Sequence, residues 1–224
     1  MRVLAVDTST MAGGVALLDG DRVVGESLLD VRTTHSERLM LAVDRVLGDA
    51  GWRATHLEGL AVAVGPGSFT GLRIGIAAIK GLALALDRPI ASVPTLDAMA
   101  VALPWASRAV CPVIDSRKEE VFASLYRWDG VAMRREWDYL ALSPRELADR
   151  LTEPVIGLGD GAPRIASPWM TIAQPSRRGP SAAAVGWLGH AALVRGEAAS
   201  AVDLVPLYLR PSEAELKRRV AAVH

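Results

Sequence analysis

Three stretches of this chain bring together residue types and spacings that could do chemistry. Asp7-Thr8-Ser9-Thr10 places a carboxylate and three hydroxyls at the end of an apolar run, and Asp115-Ser116 does something similar at the end of another. The third stretch is Gly65-Pro66-Gly67-Ser68, where the backbone N–H groups of a glycine-rich turn lead into a helical pattern and so make a natural anion site. Its spacing differs from the common phosphate loops. Gly65, Gly67 and Gly71 give G-x-G-x-x-x-G, one residue longer than the dinucleotide fingerprint, and no Gly-Lys-Ser/Thr follows as a P-loop requires. Spacing alone therefore favours a tight strand-to-helix turn, capped by Ser68, over a phosphate cradle.

Other reactive residue types are isolated. Cys111 is the single cysteine, which excludes an internal disulfide framework and a cysteine-based zinc site and fits a reducing cytoplasm. His35 has Leu39 at i+4 and reads as a surface histidine. Lys217-Arg218-Arg219 reads as the solvated basic end of a C-terminal helix that opens with a capping pattern at Ser212 and Glu215. Among 224 residues, 25 Lys plus Arg balance 25 Asp plus Glu, so this chain alone is not built to grip a nucleic-acid backbone. Met1 leads directly into a strand pattern with no signal-like segment. The apolar run Leu72–Leu86 is short for a membrane span and carries Arg73 and Lys80, so no membrane association is expected.

These residues are positioned by a regular alternation of strands and helices. Arg2–Val6, Gly13–Leu18 and Arg22–Leu29 read as strands, the last two joined at Asp19-Gly20-Asp21. A helix opens at a capping box, Thr34 to Glu37, and runs to about Gly48 with Leu39, Val43, Val46 and Leu47 facing the sheet and Met40 and Leu41 outside that stripe. Leu60–Val64 is a buried strand. The helix after it, Phe69–Leu86, carries Gly71, Gly75 and Gly81 at roughly 1 kcal/mol each relative to alanine, which points to close approach of another backbone. Such a helix is expected to pack on its own sheet and against a partner, with Met40, Leu41, Gly71, Gly75, Ala78, Ile79 and Leu82 as the interface. Pro89–Val93 and Pro94–Leu103 complete this half as a strand and a short helix.

At Val110 the order begins again. Val110 to Ser116, Glu120 to Trp128 and Val131 to Trp137 repeat the strand, Asp-Ser turn and hairpin of the first copy, so that Asp7 and Asp115 hold equivalent places. A helix from the Ser143-Pro144-Arg145-Glu146 cap to Leu151 and a strand Val155–Leu158 follow. Residues 163–180 read as irregular, and a helix Ser181–Arg195 is expected to cover the second half-sheet. The fold class is α/β, duplicated, with half-domains 1–104 and 105–224, each a mixed sheet flanked by helices.

The string Val64-Gly-Pro-Gly-Ser-Phe-Thr-Gly-Leu-Arg-Ile-Gly75, with Lys80-Gly-Leu-Ala83 and Val93-Pro-Thr-Leu-Asp-Ala-Met99, closely resembles the TsaB family, also called YeaZ. Asp7-Thr-Ser-Thr10, His35-Ser-Glu-Arg-Leu39 and Pro206-Leu-Tyr-Leu-Arg210 add to the match, which is continuous to about Met99 and loose from Asp115 to Val205. The resemblance implies an actin-like ATPase (ASKHA) fold and a part in making threonylcarbamoyladenosine beside the tRNA anticodon. It implies a non-catalytic subunit that pairs with and activates the related enzyme TsaD. A TsaE-type ATPase would join the larger complex, the free chain would form a homodimer, and tRNA would be held only indirectly. In actin-like ATPases the place of Asp7 carries a carboxylate serving a metal-bound phosphate. The resemblance thereby marks Asp7, Thr8, Ser9, Gly65 and Gly67 as candidates for nucleotide, against the plainer reading that Asp7 receives turn hydrogen bonds. TsaD carries two histidines where this chain has Thr95 and Met99, so neither a metal nor another cofactor is expected. The competing readings are an autonomous ATPase or metallopeptidase-like enzyme and a homodimeric nucleotide-binding module.

Overall fold

Neighbouring residues of the first strand face different layers. The computed structural model of the chain describes residues 1–30 and 35–210, and β1 (Arg2–Asp7) lies at its centre. Leu4 and Val6 of β1 join one core while Val3 and Ala5 join another, as the period of two of a strand requires. Strands β2 (Ala12–Asp19) and β3 (Arg22–Asp30) continue as an antiparallel meander. On one face of this sheet lie α1 (His35–Asp49) and, after β4 (Gly59–Gly65), the long α2 (Phe69–Leu86). Leu39, Val43, Val46 and Leu47 of α1 and Ile76, Ile79 and Ala83 of α2 share a core with Leu4, Val6, Leu17, Leu60 and Val62. By length and composition α2 could cross a membrane, yet its Leu72, Ile76 and Ile79 are buried within its own half. Strands β4 and β5 (Ile90–Pro94) add in parallel to β1, giving the order β3-β2-β1-β4-β5.

After α3 (Thr95–Ala100) a second sheet follows the same plan. Strand β6 (Ala109–Lys118) runs antiparallel to β7 (Glu120–Ala123). A side hairpin of β8 (Tyr126–Trp128) and β9 (Met133–Arg135) intervenes before β10 (Leu140–Leu142) returns antiparallel to β7. Helix α4 (Pro144–Arg150) opens with a complete capping box. The Ser143 hydroxyl accepts from the Glu146 N–H, and the Glu146 carboxylate accepts from the Ser143 N–H, which holds that carboxyl below its usual range. Strands β11 (Val155–Leu158) and β12 (Met170–Ile172) then add in parallel to β6. The order β10-β7-β6-β11-β12 repeats the first sheet strand for strand. The expected strand 120–128 is broken after Ala123, because Tyr126 pairs back to Val110 of β6. Strand β12 lies in the stretch expected to be irregular; it is only three residues long, too short for an alternation to show. Where α2 stands in the first copy, between β11 and β12 there is only a 3-10 turn, Ala162–Arg164.

The last described helix, α5 (Ala182–Val194), does not cover the second sheet as expected; it lies on the free face of the first. The reason is steric. That face presents Ala5, Ala16, Ala61, Ala63 and Ala91, a shallow surface on which a helix can lie close. A Cβ on Gly186 would run into Leu18, and one on Gly189 into Ala61. The spatial unit around the first sheet thus takes in 182–194 as well as the expected 1–104. Helix α3 makes the opposite exchange, with Leu96, Met99 and Ala100 in a core of the second half. The expected capping box at Thr34 and Glu37, the side chain of His35, and the C-terminal helix with Ser212, Glu215 and Lys217–Arg219 lie outside the described residues.

Candidate functional site

The Asp7 turn is closed by its own helix. Asp7 is 1% exposed, and its Oδ1 accepts hydrogen bonds from the Ser9 N–H at 2.9 Å and the Ser9 hydroxyl at 2.6 Å. The Ser68 N–H donates to the Ser9 carbonyl at 2.6 Å, and the Thr8 hydroxyl donates to the Gly71 carbonyl at 2.8 Å. Ser68 also caps α2, its hydroxyl accepting from the Gly71 N–H. A Cβ at Gly67 would collide with the Ser9 carbonyl, one at Gly71 with the Thr8 carbonyl, and one at Gly75 with the Thr8 hydroxyl. Gly65, at φ +117°, has a backbone conformation that side chains disfavour and lies against the Leu207 carbonyl. The glycines therefore seat α2 on the first turn.

This corrects the expected partner surface. Gly71, Gly75 and Ile79 are buried inside their own half-domain and cannot meet another chain, because Thr8, Val6 and the sheet already occupy that face. Ala78 and Leu82 are half-buried against the same core. Met40 and Leu41 are exposed at 41% and 68%, and the outward stripe of α2 is instead Ala77, Gly81 and Leu84. Leu84 is 76% exposed, and a Cβ at Gly81 would meet only open space.

The second turn repeats the first with a different partner. Asp115 Oδ1 accepts from the Arg117 N–H at 2.8 Å and from Arg164 at 2.5 Å, and the Asp115 N–H donates to Asp160 at 2.9 Å. Desolvation raises the Asp160 carboxyl, and the neighbouring Asp115 charge adds to the rise.

Between the halves lies a cleft of about 730 Å³. Of the candidate residues, Ser9 and Gly67 line it, whereas Asp7, Thr8 and Gly65 sit behind its wall. Its opposite wall carries Asp115, Arg117 and Asp160, and one side is closed by residues 207–210. Here stands a group that pattern reading missed. Phe69 and Tyr208 stack with centroids 4.9 Å apart, the Arg73 guanidinium lies 3.8 Å over the Phe69 ring, and Arg73 Nε donates to the Tyr208 hydroxyl at 2.9 Å. The i, i+4 spacing of Phe69 and Arg73 on a helix was the available signal; Tyr208 had none nearby.

Thr95 and Met99, which stand where TsaD has histidines, are packed into the interior at 0% and 2% exposure. Asp97 between them accepts from the hydroxyls of Tyr126 and Tyr139, and burial beside that carboxylate pushes both phenols up. Burial likewise pushes the Cys111 thiol up to about 12, far from thiolate chemistry at neutral pH. Among the described residues no three His, Cys, Asp or Glu side chains gather as metal ligands do.

Comparison with known proteins gives this geometry its kinship. The family model TsaD, tRNA N6-adenosine threonylcarbamoyltransferase, matches residues 30–153. The tRNA threonylcarbamoyladenosine biosynthesis protein TsaB of Bacillus subtilis is 31% identical over 227 residues, covering 97% of each chain. The chain belongs to the TsaB family. Among solved structures, YeaZ from Pseudomonas aeruginosa superposes with a TM-score of 0.79 at 29% identity, covering 93% of this chain and 99% of the other. The ethanolamine utilization protein EutJ from Carboxydothermus hydrogenoformans shares the fold alone, with a TM-score of 0.53 at 11% identity over 84% of this chain and 90% of that one. The duplicated architecture is that of the actin-like ATPases. In this TsaB-family chain, α2 and the Asp7 turn form one packed unit, and the cleft opens beside it.

Proposed function

We propose that this chain is a non-catalytic subunit of the cytoplasmic apparatus that makes threonylcarbamoyladenosine in tRNA. It acts by pairing with a TsaD-type enzyme through the outward faces of α1 and α2. The observation that carries the reading is the closure of the Asp7 turn, where Ser9, Ser68 and the glycines of α2 pack over a carboxylate that is 1% exposed and does not line the cleft. The relatives named for this biosynthesis and the match to the TsaD model support the pathway.

The face that α2 leaves outward supports the mode of action. Leu41, Met40, Ala77, Gly81 and Leu84 form small and apolar surface on adjacent helices, with no charge between Ala77 and Leu84 other than half-buried Lys80. The open position at Gly81 would let a second helix approach to the 8–10 Å of a close crossing. A TsaE-type ATPase joins the pair, and tRNA is gripped by the partner, in keeping with the zero net charge of this chain.

The test mixes the purified chain with TsaD from the same organism on a sizing column. The wild type is expected to co-elute at a one-to-one ratio, and Leu41→Glu with Leu84→Glu to elute alone with an unchanged circular dichroism spectrum. A wild type that never associates would sink the pairing, whereas a folded double variant that still associates would move the surface elsewhere. Mass spectrometry of tRNA nucleosides should show loss of the modification in cells lacking the chain and no recovery with the double variant.

A further inference from the structure

Residues 204–210 follow a path that neither half-domain explains alone. The segment belongs to no helix or strand, yet it is tied down at successive residues to different bodies. Leu204 is 2% exposed in the core shared by β1, β4, α1 and α2. Leu207 packs on that same core, and its N–H donates to the Val64 carbonyl at 2.7 Å. Two residues on, Leu209 packs against the core of the second half, with Leu96, Ile114 and Phe122 among its members. Arg210 then pairs with Glu120 of β7 at 2.6 Å. Between these anchors Tyr208 stacks on Phe69 and receives the hydrogen bond from Arg73.

We propose that residues 204–210 are a latch across the cleft, which sets how far the two half-domains stand apart and admits or excludes a ligand by its attachment to Glu120. Half-domains of one chain move relative to one another unless a large apolar interface holds them, and here the apolar link besides this segment is α3, whose Leu96, Met99 and Ala100 enter the core of the second half. The latch adds to that hold with apolar anchors on both sides, Leu204 and Leu207 on the first half and Leu209 on the second. Among the described residues its second-half attachment is the weaker one, resting on the half-buried Leu209 and on an ion pair whose side chains are 31% and 34% exposed. The first-half attachment combines Leu204, a backbone hydrogen bond and the Tyr208 stack, so release occurs at Glu120. The same segment walls the cleft with Leu207, Tyr208, Leu209 and Arg210, so detachment would widen the space that it closes.

Distance measurement between spin labels tests this without reference to TsaD. Cys111 is buried and stays unlabelled, so Asp49→Cys at the end of α1 and Val131→Cys, 80% exposed on the second half, provide the two attachment points. In this background Arg210→Glu places two carboxylates together and should shift the distance distribution outward and broaden it. The exchanged pair, Glu120→Arg with Arg210→Glu, should return it to the wild-type profile. Tyr208→Phe, which removes only the acceptor of the Arg73 bond, should change it least. A folded Arg210→Glu protein with the wild-type distribution overturns the latch, as does a broadening that the exchanged pair leaves in place. Should Arg210→Glu fail to fold, Arg210→Ala removes the pair without adding repulsion and is judged by the same two outcomes.

Discussion

Asp7, at the end of β1, and Asp115, near the end of the equivalent β6, each accept the backbone N–H two residues further on, at 2.9 and 2.8 Å. Their second partners differ. In the first copy it is the Ser9 hydroxyl, pressed beneath α2, and Asp7 is almost wholly buried. In the second copy it is the Arg164 guanidinium, supplied by the 3-10 turn standing where α2 would be, and the Asp115 side chain keeps 32% of its surface exposed. The duplicated turn was kept in both halves, and the helix behind it decides its chemistry. Where the helix remains, glycine packing presses a neutral hydroxyl onto the carboxylate; where it has shrunk, a guanidinium from the turn reaches it.

The largest effect should come from disturbing that helix. Gly75→Arg is expected to yield no folded protein by circular dichroism, because even a Cβ there strikes Thr8, while Gly81→Arg on the same helix should fold normally. A folded Gly75→Arg chain would mean that the seating of α2 on the first turn is looser than its contacts imply. Next come the carboxylates. Asp7→Ala should cost about 1–3 kcal/mol in urea unfolding by leaving the buried Ser9 donors without their acceptor. Asp115→Ala, partly exposed, should cost at most about 1 kcal/mol. Equal losses would erase the contrast between the two turns. The smallest effect is a gain: Gly81→Ala should stabilise by up to about 1 kcal/mol, because the position is helical and faces open space. A calorimetric melting temperature that falls would show that something covers that face in the free protein.

Much of the first half could be read from sequence because its strands and helices carry clean periods. The bounds of α2 are those expected, and Leu39, Val43, Val46 and Leu47 face the sheet as their spacing says. Periodicity reports which residues seek burial, not what will bury them. Gly71 and Gly75 looked like a surface for another chain because a glycine stripe has the same pattern whether the approaching backbone is foreign or the chain's own. For the same reason α5 could not be assigned to a sheet: it is apolar on nearly every side, and the alanines that receive it are scattered over four strands. The latch was hidden more deeply. Its Leu207, Tyr208, Leu209 and Arg210 gain meaning only from partners at Val64, Phe69, Arg73 and Glu120, all far away in sequence.

The placement of α5 bears on how the chain acquires its shape during synthesis. The alanine face of the first sheet stays bare until residues 182–194 have left the ribosome, although every strand beneath it is complete by Pro94. Contacts of such long sequence separation slow folding, and an uncovered sheet face is what chaperones and neighbouring nascent chains bind. A ribosome pausing between Pro94 and Ala182 would hold out a half-finished layer, so the late part of the message governs whether the first sheet survives.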